Sequence, residues 1–85
     1  MLTISVISPE QTLYVGEATS VVAPAFDGEV GVLAGHAPMM TLLGRGTLRV
    51  MRGAEEQRFV VEGGFLQVVD DVVRVVTEKA QKEAR

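Results

Sequence analysis

Residues 47–61, TLRVMRGAEEQRFVV, decide the fold. Leu48 and Val50 alternate with polar neighbours and stand opposite Arg49, the period of two that puts apolar side chains on one face of a strand. Gly53 to Glu56 is a polar, glycine-led loop, after which Arg58 to Val61 returns as a strand with Phe59 and Val61 inward. Two alternating runs separated by a short turn predict a β-hairpin. Once this pair is β, the short branched-chain runs around it read the same way.

Moving toward the N-terminus, Met39–Leu43 predicts a short strand, broken by Gly44-Arg45-Gly46. Glu29–Leu33 predicts another, after the Asp27-Gly28 turn signal. Ala18–Ala23 reads as a strand stopped by Pro24, and Thr12–Val15 as one closed by a Gly16-Glu17 turn. In residues 2–7, Leu2, Ile4 and Val6 alternate with Thr3 and Ser5, and Ser8-Pro9-Glu10 ends the run. Toward the C-terminus, Gly63-Gly64 marks a bend or a close backbone approach. Phe65–Val69 and Val72–Thr77 are joined through Asp70-Asp71, both turn formers. The last stretch, TEKAQKEAR, is charged and free of Gly and Pro, compatible with the start of a helix. The expected architecture is all-β: an antiparallel β-sandwich or flattened barrel of about nine strands by this reading. The domain covers residues 1–79 and a charged tail covers 80–85.

Composition narrows the function. With 85 residues the chain is one domain, and fifteen valines against four aromatics suit a strand-rich core. It has no cysteine and one histidine, which argues against disulfides and against a zinc site of about four Cys or His ligands. The net charge is −3, and no Lys or Arg precedes Arg45. Arg45, Arg49, Arg52 and Arg58 are interrupted by Glu55 and Glu56, the pattern of a solvated hairpin rather than a nucleic-acid face. No apolar run approaches the ~20 residues that cross a bilayer. The N-terminus has no signal-peptide pattern. Membrane contact is therefore expected only through a partner.

Catalytic chemistry has little to stand on. His36 among glycines could serve as a base, but packing or hydrogen bonding is the commoner role. There is no G-x-S-x-G elbow, no P-loop and no G-x-G-x-x-G opening a helix. Sequential Asp70 and Asp71 do not form an acid–base couple. No catalytic residue, cofactor or metal is expected. The most distinctive stretch is instead residues 28–43, GEVGVLAGHAPMMTLL, where closely spaced glycines, Glu29, His36 and Pro38 sit beside two flexible methionines. It reads as a contact loop carried on a β scaffold.

Three segments, in order, resemble the β-sandwich domain of the epsilon subunit of rotary F-type ATP synthases, called delta in mitochondria. ISPEQTLYVGEA is similar to the family's opening Pro-Glu turn and Gly-Glu step. VVAPAFDGEVGVLAGHAPMMTLL is similar to its P-G-x-x-G-E-x-G-I-L-P-x-H-A-P-L-L-T core. FVVEGGFLQVVDDVVRVVTEKA is similar to F-x-V-x-G-G-F-L-E-V-x-x-N-x-V-T-V-L-A. The match runs over nearly all of residues 2–80.

The resemblance implies about ten strands in two sheets and a non-catalytic rotor subunit of the central stalk. Its partners would be the gamma subunit and the membrane c-ring, during proton-driven ATP synthesis on the cytoplasmic face of the bacterial inner membrane. Carried over by position, Glu29, Met39 and Met40 are expected on the c-ring side, and Ser8 and His36 near gamma. Ala34 stands where the family often has proline. The family continues into a C-terminal helical hairpin that carries inhibition and, in some members, ATP binding. Those residues have no counterpart before Arg85, so neither activity is expected; a naturally short member and a segment of a longer chain both fit. The alternative from another class is a free-standing β-barrel module that binds a peptide or small ligand. A hydrolase using His36 has the least support.

Overall fold

The computed structural model describes residues 1–83 and contains ten strands and no helix. They are β1 (Leu2–Ile7), β2 (Thr12–Ala18), β3 (Ser20–Ala25), β4 (Gly28–Leu33) and β5 (Met39–Leu42), then β6 (Arg45–Arg52), β7 (Glu55–Glu62), β8 (Phe65–Val69), β9 (Val72–Val76) and β10 (Lys79–Lys82). They form two five-stranded sheets, β2-β1-β9-β8-β5 and β10-β7-β6-β3-β4, called sheet A and sheet B below. All pairings are antiparallel except β1 with β9, which is parallel with Ile4 opposite Val73.

Alternation builds the core. Leu2, Ile4 and Val6 of β1 are fully buried, as are Val73 and Val75 of β9 and Leu66 and Val68 of β8. Sheet B answers with Val21, Leu48, Val50, Phe59 and Val61, each at most 1% exposed. Tyr14 meets Phe59 edge-on, with ring centroids 6.2 Å apart, a favoured aromatic geometry. The hairpin read from residues 47–61 forms as expected and is longer: β6 and β7 pair from Arg45–Glu62 to Arg52–Glu55. Its turn needs only Gly53 and Ala54, with Gly53 at φ 60°.

Four sequence readings change. β2 continues through Gly16 and Glu17 because the Tyr14 ring lies over Gly16, filling the space a side chain would occupy. β3 runs through Pro24, since its pairing with β6 involves only Ser20–Val22 and the proline sits where the strand is paired on one side. β6 starts at Arg45, with Gly46 accommodating Pro24: a Cβ at Gly46 would meet Pro24 Cβ at 2.9 Å. Finally, Lys79–Lys82 does not begin a helix; it is β10, paired with Phe59–Glu62 of β7, so the sandwich extends past residue 79. The open edge of β7 offers a row of backbone groups that a short tail satisfies more readily than it nucleates an isolated helix. The rest of the expected helix, at residues 84–85, lies outside the described residues.

Candidate functional site

Glycine and proline set the two ends of the sandwich. At one end are the turns β1–β2, β3–β4 and β9–β10 and the crossings at Leu43-Gly44 and Gly63-Gly64. At the other are the β4–β5 loop, the β8–β9 turn and the start of β1. β4 and β5 end their respective sheets on the same flank, where Phe26 N–H donates to Leu42 O (3.0 Å) and Gly44 N–H to Pro24 O (2.8 Å).

The residues singled out from the sequence are dispersed over this frame. Glu29 is exposed near the start of β4, opposite Pro24. His36 lies beyond the far end of the same strand, half-buried, with its N–H donating to Leu33 O (3.1 Å) and its Nδ1 2.7 Å from Ala37 O. About five residues of strand between them correspond to roughly 15–20 Å. The two methionines part company. Met39 is half-buried and packs on the core, whereas Met40 is 64% exposed. Consecutive strand residues point to opposite faces, which is why Met39 turns toward the core and Met40 away from it. Ser8 is 6% exposed and spent inside its turn: its backbone N–H donates to Gln11 O (2.8 Å), and Gln11 N–H donates to Ser8 Oγ (3.3 Å). Ser8 and His36 stand at opposite ends of the molecule.

Asp71 ties the His36 end together. Its Oδ1 accepts from Gly35 N–H (2.7 Å) and its carbonyl from Thr3 N–H (2.9 Å). Asp70 and Asp71 both adopt positive φ, 49° and 62°, the geometry of a two-residue hairpin turn.

The surface feature that sequence reasoning missed is the outward face of sheet A. Phe26, Met40, Leu42, Val69 and Val72 are exposed on or beside it. The outward face of sheet B is instead charged, with Arg58 Nε donating to Glu83 at 2.7 Å and Arg58 lying 3.8 Å from Glu56. A shallow depression of about 280 Å³ there is lined by Arg45, Val60, Glu62, Lys79 and Gln81. That volume is just under the usual range of small-ligand pockets. The signal for the apolar face was present as alternation in β5, β8 and β9, but which runs become neighbours is not written in any one of them.

Sheet A thus carries the larger share of the exposed apolar side chains, although Leu33 and Val60 are exposed on sheet B. The chain belongs to the ATP synthase delta/epsilon chain β-sandwich domain family, whose pattern it matches over residues 1–83. It is 44% identical over 77 residues to the ATP synthase epsilon chain of Leptospira borgpetersenii serovar Hardjo-bovis, covering 91% of this chain and 61% of that one. It is 49% identical over 75 residues to the epsilon chain of Rhodopirellula baltica, covering 88% of this chain and 59% of that one. The chain thus spans about three-fifths of the length of these relatives. Among solved structures it is similar to a chain of the Euglena gracilis mitochondrial ATP synthase (OSCP/F1/c-ring, rotational state 1). There the TM-score is 0.88 at 28% identity, over 95% of this chain and 52% of that one. A chain of the Tetrahymena thermophila central stalk/c-ring assembly shares the fold, with a TM-score of 0.80 at 14% identity.

Proposed function

We propose that this chain is a non-catalytic rotor component of an ATP synthase, joining the gamma subunit to the membrane c-ring during proton-driven ATP synthesis. The observation that carries the reading is the family match over residues 1–83, reinforced by the fit to the Euglena ATP synthase chain. As part of the complex it sits peripherally on the cytoplasmic face of a bacterial inner membrane. Torque has to cross the junction without slip. A two-sheet β body with an interdigitated core is stiff enough to carry it.

Glu29 and His36 sit at opposite ends of β4, which supports assigning them to different partners. Glu29 and exposed Met40 belong to the ring side and His36 to the gamma side. Met39 anchors β5 on the core, and Ser8 shapes the β1–β2 turn at the end of the sandwich away from His36, so a gamma contact that includes both Ser8 and His36 would run along the length of the domain. Co-purification tests the reading. The chain mixed with the gamma subunit of its own synthase is expected to elute as a stable complex that then binds c-rings. A folded chain that binds gamma under no condition would sink it.

A further inference from the structure

The β4–β5 loop, residues 34–38, carries His36 outside the ladders of both sheets. It follows Leu33, the last residue of β4, and precedes Met39, the first of β5. Pro38 brings no N–H with which to bond. The His36 N–H reaches back to Leu33 O (3.1 Å), so that bond only closes a turn on β4 itself. Among the described residues, the one hydrogen bond from this loop to a distant part of the chain is Gly35 N–H to Asp71 Oδ1, at 2.7 Å.

Asp71 is itself firmly held. It sits in the two-residue β8–β9 turn at φ 62°, and its carbonyl accepts from Thr3 N–H (2.9 Å), so β1 fixes its backbone as well. From this corner its carboxylate reaches a loop that has no strand pairing of its own. The bond is charge-assisted and short, the stronger kind of hydrogen bond.

Held in this way, the loop fixes the imidazole too. His36 Nδ1 lies 2.7 Å from Ala37 O. A carbonyl oxygen only accepts, so Nδ1 carries the proton, and in the neutral ring Nε2 keeps a lone pair. Among the described residues Nε2 accepts no hydrogen bond. The loop therefore presents an acceptor of fixed tautomer and direction.

We propose that Asp71 is the positioning residue of the His36 loop, and that His36 Nε2 recognises an N–H or O–H donor on its partner. The inference rests on the rotor reading above, which puts His36 on the gamma side, and adds the chemistry of the group that gamma must present. Nitrogen-15 NMR of the labelled chain in alkaline buffer, where imidazoles are neutral, tests the positioning role. Wild type is expected to show Nδ1 protonated and Nε2 bare. Asp71→Gly suits the positive φ but lacks the carboxylate, and should mix the two tautomers. Asp71→Asn keeps an acceptor oxygen and should restore the wild-type pattern. Asp70→Gly, in the same turn but without a bond to the loop, should leave the ring signals alone. Protonated Nε2 in wild type, or ring signals unmoved by Asp71→Gly, overturns the proposal; a merely structural Asp71 would lower the denaturation midpoint and nothing more.

Calorimetric titration with purified gamma subunit tests the donor assignment, with circular dichroism checking that each variant folds. His36→Gln can place its amide oxygen where Nε2 stood, whereas His36→Phe has no polar atom and His36→Lys only donates. His36→Phe and His36→Lys are each expected to weaken binding about three- to tenfold, and His36→Gln by less. Asp71→Gly should lose a similar factor, which Asp71→Asn recovers. Tighter binding by His36→Lys than by His36→Gln would mean that gamma presents an acceptor, and overturns the assignment. If wild type binds gamma and all three His36 variants bind equally well, the inference falls and the rotor reading stands. If wild type binds gamma under no condition, the rotor reading falls and takes the donor assignment with it, while the ring signals still decide the role of Asp71.

Discussion

At Gly64 the backbone has φ 97°, and a Cβ built there would run into Val76 O and lie 2.6 Å from Thr77 Cα. Neither neighbour is a flexible side chain, so nothing nearby can yield. Gly64→Ala is expected to cost about 3 kcal/mol or more, from the strained φ and the clash together, read as a lowered denaturation midpoint. The two aspartates of the β8–β9 turn should respond in opposite directions. Both have positive φ, but only Asp71 accepts Gly35 N–H. Asp70→Gly relieves the left-handed strain and should leave stability unchanged or raise it by roughly 0.5 kcal/mol. Asp71→Gly gains the same relief but forfeits the charge-assisted bond, for a net loss of about 1 kcal/mol. Urea titration of the pair checks the contrast. The doublet Gly63-Gly64 and the turn-forming role of Asp70-Asp71 were legible in the sequence, because glycine and aspartate act on their own backbone. The Asp71–Gly35 bond was not, since its partners are 36 residues apart.

At the scale of elements, β10 shows most clearly how context overrides local preference. Its sequence, KAQK, has no β-branched residue, and only Ala80 packs against the core. It is a strand because β7 offers an edge and because two anchors hold it there. Glu83 N–H donates to Arg58 O (2.8 Å), beside the Glu83–Arg58 ion pair. Thr77, 2% exposed, places Oγ1 2.9 Å from both Gly63 O and Lys79 O and shares its proton among them. Thr77→Val keeps the shape and removes the donor, leaving those carbonyls less well satisfied. We expect a loss of about 1–2 kcal/mol and faster amide exchange in Lys79–Lys82 than in β1. Unchanged exchange in β10 would show that β7 pairing alone holds it. The β6–β7 hairpin lies at the other extreme: its alternation and turn glycine agree, so the pair is legible in the sequence, while the shortness of its turn is not.

For the molecule as a whole, the division of its surface is what matters. Glu29 and Met40 are exposed residues on the two terminal strands of one flank, and substituting them leaves the core untouched. The double variant Glu29→Lys with Met40→Asp should therefore keep its denaturation midpoint within about 0.5 kcal/mol of wild type. Under the proposed assignment it should bind c-rings at least about tenfold more weakly, as measured by co-sedimentation of the gamma-bound chain with rings. Ring binding at wild-type strength would remove these two residues from the ring surface without touching the family assignment.

By itself the sequence determined the all-β class, most strand positions, the special backbone at Gly63-Gly64 and Asp70-Asp71, and the family. These depend on two-residue periodicity, on residues that govern their own dihedrals, and on motifs contiguous in the chain. Tertiary structure alone decided that β1 pairs parallel with β9, that Met39 turns inward while Met40 turns out, and that the tail is a strand. It also gathered Leu42, Phe65, Val76 and Ile7 into one row on the outward face of sheet A. Those outcomes turn on which strands become neighbours and in what register, and register is fixed by burying one face of every strand at once.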